Sequence, residues 1–457
     1  MEMDGMINNS PLLDHYLHLF EDQEKSQNGE IPAFLKNIRR KALEQLLQLG
    51  LPDRKQEQYK YTDINALFSR GFKPILSPVS TAFDIEHVFK CDVPTLDTHL
   101  FFLLNGFYFN QGSPLNGMPE GILVGSIQDA LRTHPELLEA HLNQYITASN
   151  EGLVALNTAL SQDGIFIFVP RNTIVDKPIQ VVNLIHSDSE LFVQHRNLIV
   201  LEENAQLDLV VCDHVISPFQ SLTNSVTEIV AAPDARLDYT KLQNEHDDSA
   251  TISSLFISQD TDSRVHTNIF SLHGGLIRNN HYVAMRGSGS ENNANGLYLT
   301  DRHQHIDNFV KVEHRVPHCM SNQLYKGVLD ESATGAFNGF IHVFEDAQKT
   351  QAYQRNNNIL LTDEAKMNAR PQLEIYADDV KCSHGATVGQ LDEEALFYIK
   401  SRGIPHHEAR LMLMFGFAHE VIQNLAIDPL RHRIDDLVNK RLRGELSRCD
   451  NCEIHCR

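Results

Sequence analysis

Between Gly164 and about Val380, apolar and polar positions alternate in short runs. Examples run from Ile165 to Val169, Ile179 to Val182, Asn197 to Leu201, Gln206 to Val211, Thr227 to Val230, Arg236 to Tyr239, Val265 to Leu272 and Leu373 to Tyr376. They are rich in Val, Ile, Leu and Phe, and recur at a spacing of about ten residues. Turn residues separate them: Pro170, Asn204, Asp213, Asp234, Gly274-Gly275, Asn279-Asn280 and Gly287. This predicts a mainly β region with almost no helical interval. Only Asn295-Gly296 and Asn338-Gly339 look like hairpin dipeptides. A solenoid of parallel strands accounts for the even spacing better than a sandwich does, although the pattern alone leaves both open. Asn292-Asn293 and Asn356 to Asn358 suit turns whose amides stack from coil to coil.

Helical spacing dominates both flanks. Leu12, Leu13, Tyr16, Leu17 and Phe20 share one face, and Leu35, Ile38, Ala42, Leu43 and Leu46 share another; the polar stretch 21–30 between them reads as a loop. Another helix is expected from Ile127 to Tyr145. The aromatic pair Tyr59 and Tyr61 reads as ring packing. After Asp392, Ala395, Leu396 and Ile399 recur at helical spacing until Gly403 and Pro405 stop them. A Met-rich helix with Leu411, Met412, Met414, Phe415 and Phe417 follows, and Asp428-Pro429 starts a third. The organisation expected is a mainly helical N-terminal domain over 1–160, a β core over 161–385 and a C-terminal helical domain with a Cys-rich tail over 386–457.

Composition narrows the classes of partner. The chain has 457 residues, with 39 Lys plus Arg against 60 Asp plus Glu, a formal net charge of −21. That surface disfavours a nucleic-acid backbone. No apolar run is long enough to span a membrane. The first residues lack the basic segment of a secretory signal, and seven cysteines suit reduced thiols, so a cytoplasmic location is expected.

The chemistry-bearing residues cluster late in the chain. Cys382 and His384 lie two apart; in an extended segment they share a face about 6.6 Å apart and offer sulfur and imidazole to a soft metal. His303, His305 and Asp307 repeat that spacing as a second possible metal site. Cys449, Cys452 and Cys456, with His455, bring three thiols to one face if helical, and suggest a stand-alone metal-binding protein as one alternative. Asp378 and Asp379 suggest another, a β-helix carbohydrate-active enzyme, but adjacent carboxylates on one strand face apart. No P-loop, dinucleotide fingerprint or His-Glu-x-x-His occurs in the chain.

Three blocks carry a family resemblance. They are Lys381-Cys-Ser-His-Gly-Ala-Thr-Val-Gly389 continuing through Leu391-Asp-Glu-Glu-Ala-Leu-Phe-Tyr398, Gln304 to His314 continuing to Gly335-Ala-Phe-Asn-Gly339, and Ala347 to Leu361. Together the chain resembles the SufB/SufD family of iron–sulfur cluster assembly proteins, on its SufD side, over roughly 164–444. At Gln58-Tyr59-Lys60-Tyr61-Thr62 it departs from the family by lacking a tryptophan. The resemblance implies a right-handed parallel β-helix and a non-catalytic scaffold role in a SufBCD-type complex. It further implies pairing with a SufB-like paralogue through the β-helix, with a homodimer also possible, and docking of a SufC-like ATPase on the C-terminal helices, for which Leu411, Met412, Met414, Phe415 and Phe417 are the expected surface. His384, and with it Cys382, is then expected to meet a transient cluster or iron at the SufB interface, with no cofactor held tightly by this chain alone.

Overall fold

The evenly spaced apolar runs fold as the coils of a solenoid. The computed structural model describes residues 11–26, 31–78, 96–109, 117–146, 151–216 and 219–446. Strands from Ile165–Val169 to Lys381–Gly389 alternate between two sheets, giving about eight turns with helices at both ends. Neighbouring coils pair in parallel, and the register partners Gln206, Arg236, Arg264, Glu291, Met320, Gln351 and Lys381 recur about every 30 residues. One corner repeats a left-handed residue: Asn172, Asn204, Asp234, Asp262, His318 and Lys349 have φ between 56° and 64°. Asn and Asp tolerate that region best, which explains the turn signals at Asn204 and Asp234, whereas Asp213, Asn279 and Asn280, also expected in turns, lie inside strands.

The two wall faces have different jobs. Inward side chains fill the lumen with an apolar column that includes Ile199, Ile229, Ile257, Val283 and Val312. Beside it runs a polar column. Lys241 pairs with Asp213 at 2.9 Å and donates to Ser253, while Gln243, Asn279 and Asn308 join in series. Further along, Tyr298 donates to Asn358 at 2.5 Å and Gln354 donates to Gln323 at 2.6 Å. Each buried amide is thereby at least partly satisfied, which matters because an unmade hydrogen bond inside costs about 1–3 kcal/mol.

The asparagines expected in turns are therefore strand residues: Asn292, Asn356 and Asn358 lie in Glu291–Thr300 and Gln351–Leu360. The two apparent hairpin dipeptides are strand interior as well. Their glycines make room for lumen side chains. A Cβ on Gly296 would sit 2.3 Å from the Tyr325 ring, and one on Gly339 would sit 2.2 Å from Gln354 Nε2.

The outward faces carry the helices. Pro11–Ser26, Ala33–Leu49 and the wholly buried Gly152–Leu160 cover the early part of the first sheet through Phe192, Leu222, Ala250 and Ile252. The first of these continues through part of the polar stretch expected to be a loop. The helix expected over 127–145 is two short ones, Ile127–Thr133 and Pro135–His141, because Pro135 opens a new first turn. Strands that precede residue 161 also enter the solenoid. His99–Leu104 pairs in parallel with Ile179–Ile185, and Leu123–Ser126 pairs antiparallel with Ile165–Val169. At the other end the sheets run on to Gly389, past the expected boundary at 385. The C-terminal helices Glu393–Ser401, His406–Ile422 and Asp428–Arg443 follow, the last two packed on the second sheet. Arg441 clamps them there, donating to Leu272 O at 2.7 Å and pairing with Asp301 at 2.6 Å.

A buried ionic knot ties the N-terminal segment to the first sheet. Tyr59 and Tyr282 both donate to the Glu151 carboxylate, at 2.6 and 2.9 Å. The Arg278 guanidinium lies 3.8 Å from the centre of the Tyr59 ring and pairs with Asp307, which also accepts from Thr62. Arg278 is fully buried. Tyr59 is thus more than ring packing, since it closes a network. Arg278→Met strands Asp307 without its cation, and the expected loss is about 3–5 kcal/mol in urea denaturation. A loss below about 1 kcal/mol would contradict this role.

Candidate functional site

The last strand, Lys381–Gly389, is the free edge of the second sheet. Its only strand partner among the described residues is Gln351–Leu360, with Ala352 opposite Cys382 and Gln354 opposite His384. Register partners in a parallel pair share a face. Ala352 and Gln354 are buried inside the lumen, so Cys382 and His384 sit at its mouth, above them. Cys382 is half-buried against Ile341, Val343, Ala347 and Ala377. Among the described residues no later coil covers His384, and it is exposed. The first sheet ends likewise in Lys366–Ile375, whose outer edge is unpaired among the described residues.

The second possible metal site does not form. His303 lies exposed in a turn, not on the strand, and so does not share a face with His305. The His305 ring is engaged by Thr62 at 2.9 Å and Thr334 at 2.7 Å, and burial holds its pKa below the usual value. Asp307 is taken by Arg278 and Thr62. Among the described residues no three His, Cys, Asp or Glu side chains gather in a set that could hold a metal ion. Among the described residues Cys382 and His384 are two donors without a third. Cys449, Cys452 and Cys456 lie outside the described residues.

Asp378 and Asp379 are not on a strand; they occupy the bend between the last two strands, and Asp379 pairs with Lys349. The expected partner-binding residues divide. Leu411 and Met414 are core, buried between the helix and the second sheet, because that face of His406–Ile422 is the one the sheet covers. Phe417 is half-buried under the Lys326 ammonium, 4.3 Å from its ring centre, and Phe415 stacks on His419. Met412 alone of the five is well exposed.

The three most exposed large apolar side chains are aromatic and belong to elements at the end of the solenoid. Phe397 is 72% exposed and Tyr398 59%, on Glu393–Ser401, and Tyr376 is 60% exposed just past Lys366–Ile375; Ile375 and Val388, on the two end strands, are exposed as well. Sequence reading missed these exposed aromatics. The available signal was that Phe397 and Tyr398 fall off the face marked by Ala395, Leu396 and Ile399.

Comparison with known proteins agrees with this architecture. The family model "SUF system FeS cluster assembly, SufBD core domain" matches residues 184–417, and "SufBD protein N-terminal region" matches 11–181. The chain is 30% identical over 450 residues to the iron–sulfur cluster assembly protein SufD of Escherichia coli, covering 97% of this chain and 99% of that one. It is 30% identical over 438 residues to a SufBD family protein of Synechocystis, covering 94% and 96%. With the SufD of Bacillus subtilis it shares 26% identity over 428 residues, 92% of this chain and 96% of that one.

Burial pushes the Cys382 thiol above its usual pKa, partly offset by the backbone N–H of Ala352. A raised pKa means less thiolate at neutral pH, so alkylation by iodoacetamide should be slow there. It should still be climbing above pH 8.5, about where an ordinary thiol titrates. Peptide mass spectrometry over pH 7 to 10 measures it; a rate already level by about pH 8 would show a thiol that is not held back.

Proposed function

The chain belongs to the SufBD family and acts in iron–sulfur cluster assembly by the SUF system, and we propose from that premise that it is a non-catalytic scaffold subunit. Family membership implies a partner in a SUF complex. In this reading the partner is a SufB-like paralogue that pairs with the open end of the solenoid. A SufC-like ATPase docks on the C-terminal helices, and the complex works in the cytoplasm. Iron or a nascent cluster is the cargo, met transiently at the subunit interface and not retained by this chain alone.

One observation carries the reading. Among the described residues two long strand edges lie open at one end of the solenoid, and the two soft-ligand side chains stand on the inward face of one of them. An open edge is a template for another chain's strand. A thiol and an imidazole make half of a coordination set, and a shared set leaves a cluster transferable where a closed four-cysteine site would hold it. Exposed Phe397, Tyr398 and Tyr376 supply aromatic anchors of the kind that interfaces bury. Only three residues separate Gly389 from the helix that starts at Glu393, so a pull on the helices reaches the His384 strand directly.

Two variants test the two halves of this reading in the assembled complex. His384→Ala should leave assembly with the paralogue and ATPase intact and lower cluster formation on the order of tenfold or more. Val388→Lys, which places a charge at the open mouth, should weaken capture of the paralogue while leaving the chain folded. Normal cluster formation by His384→Ala would remove the site assignment, and unchanged capture by Val388→Lys would remove the edge as the interface.

A further inference from the structure

Gln354 lies directly beneath His384 in the lumen. Gln323, Gln354 and His384 are successive register partners on the inward face of the second sheet. Gln354 is 0% exposed. Its Nε2 donates to Gln323 Oε1 at 2.6 Å, toward the preceding coil. In a ladder of stacked amides, a side chain that donates to one neighbour presents its carbonyl to the other. The other neighbour here is His384. Among the described residues Gln354 Oε1 has no hydrogen-bond partner although it is buried. A buried acceptor left empty costs about 1–3 kcal/mol, so its persistence calls for a reason.

The amide is also held in place. A Cβ on Gly339, across the lumen, would fall 2.2 Å from Gln354 Nε2 and 2.6 Å from its Cδ, so the backbone of the facing strand presses directly against the carboxamide. His384 makes no hydrogen bond among the described residues and is exposed. His384 is the next register partner outward from Gln354, and its ring is free to turn on its own side-chain bonds.

We infer that Gln354 is a positioning residue for His384: its Oε1 accepts one imidazole N–H and turns the other ring nitrogen outward to the iron of the cargo. A metal-binding histidine usually donates its second ring N–H to such an acceptor, which fixes the tautomer and the ring plane. The clamp by Gln323 and Gly339 supplies the rigidity that a lone exposed imidazole at a strand edge lacks. The inference rests on the functional reading above, and its test separates the two.

Cluster formation in the assembled complex is compared for Gln354→Leu, Gln354→Glu, His384→Ala and the Gln354→Leu/His384→Ala double variant, with thermal unfolding as the fold control. Gln354→Leu removes the acceptor at similar volume and should slow cluster formation about tenfold. Gln354→Glu keeps an acceptor facing His384, since the Gln323 amide can flip and donate its unpartnered Nε2; it should stay within about twofold of the parent. In the His384→Ala background Gln354→Leu should add no further loss, whereas a mere packing defect would add one. Parent-like activity in Gln354→Leu beside a failing His384→Ala would overturn the positioning role alone. Normal activity in His384→Ala would overturn the functional reading and this inference with it.

Discussion

Every coil of this solenoid needs another coil beside it. Its backbone N–H and C=O groups are satisfied by the strand before and the strand after, and its lumen side chains are buried by the same neighbours. The requirement cannot be met at the two ends, and the chain treats the ends differently. At the start the second sheet is closed by His99–Leu104 and the three-residue antiparallel strand Phe107–Phe109, and the first by Leu123–Ser126. Short edge strands leave little to pair with. At the finish, strands of ten and nine residues lie open among the described residues. Pro371 takes one donor out of Lys366–Ile375, a loss tolerated in edge strands, yet the remaining edge is long. Among the described residues the coil rule is left unmet at this end, and there the soft ligands meet the lumen mouth.

The lumen gives that end a definite shape. An entirely apolar column could slip in register, but Gln323, Gln354, Asn356, Asn358 and Tyr298 hold specific partners across coils. Such a network resists slippage because a shifted strand would leave amides unpaired in a dry interior. The outer faces are fixed in turn by the Arg278 knot on the first sheet and the Arg441 clamp on the second. The scaffold is therefore stiff up to its last coil, and Cys382 and His384 stand on that stiff base with one side open.

Much of this was legible in the residues. The even apolar runs and corner Asn and Asp residues follow from parallel coils whose corners need left-handed backbone, so the pattern reports the fold directly. Cys382 and His384 were visible as a pair because a strand puts alternate residues on one face. The errors share a cause: local rules cannot tell which distant residues the fold brings against a side chain. Asn338-Gly339 has the form of a hairpin turn, but its glycine answers to Gln354 on the opposite wall. Leu411 and Met414 looked like partner surface, but the covering sheet is far away in sequence. His303 and His305 share a spacing but not a strand, because the turn ends between them. The role of Tyr59 depends on Glu151 and Arg278, which no local pattern connects to it.

The central claim is that the last coil is completed by another chain's backbone. Hydrogen–deuterium exchange of the isolated chain and of its complex with the paralogous partner tests it most directly. Strand pairing predicts that amides in 366–375 and 381–389 exchange quickly in the isolated chain and become protected in the complex, while coils in the middle of the solenoid stay protected in both. Equal, fast exchange of both end strands in an assembled complex would contradict the account.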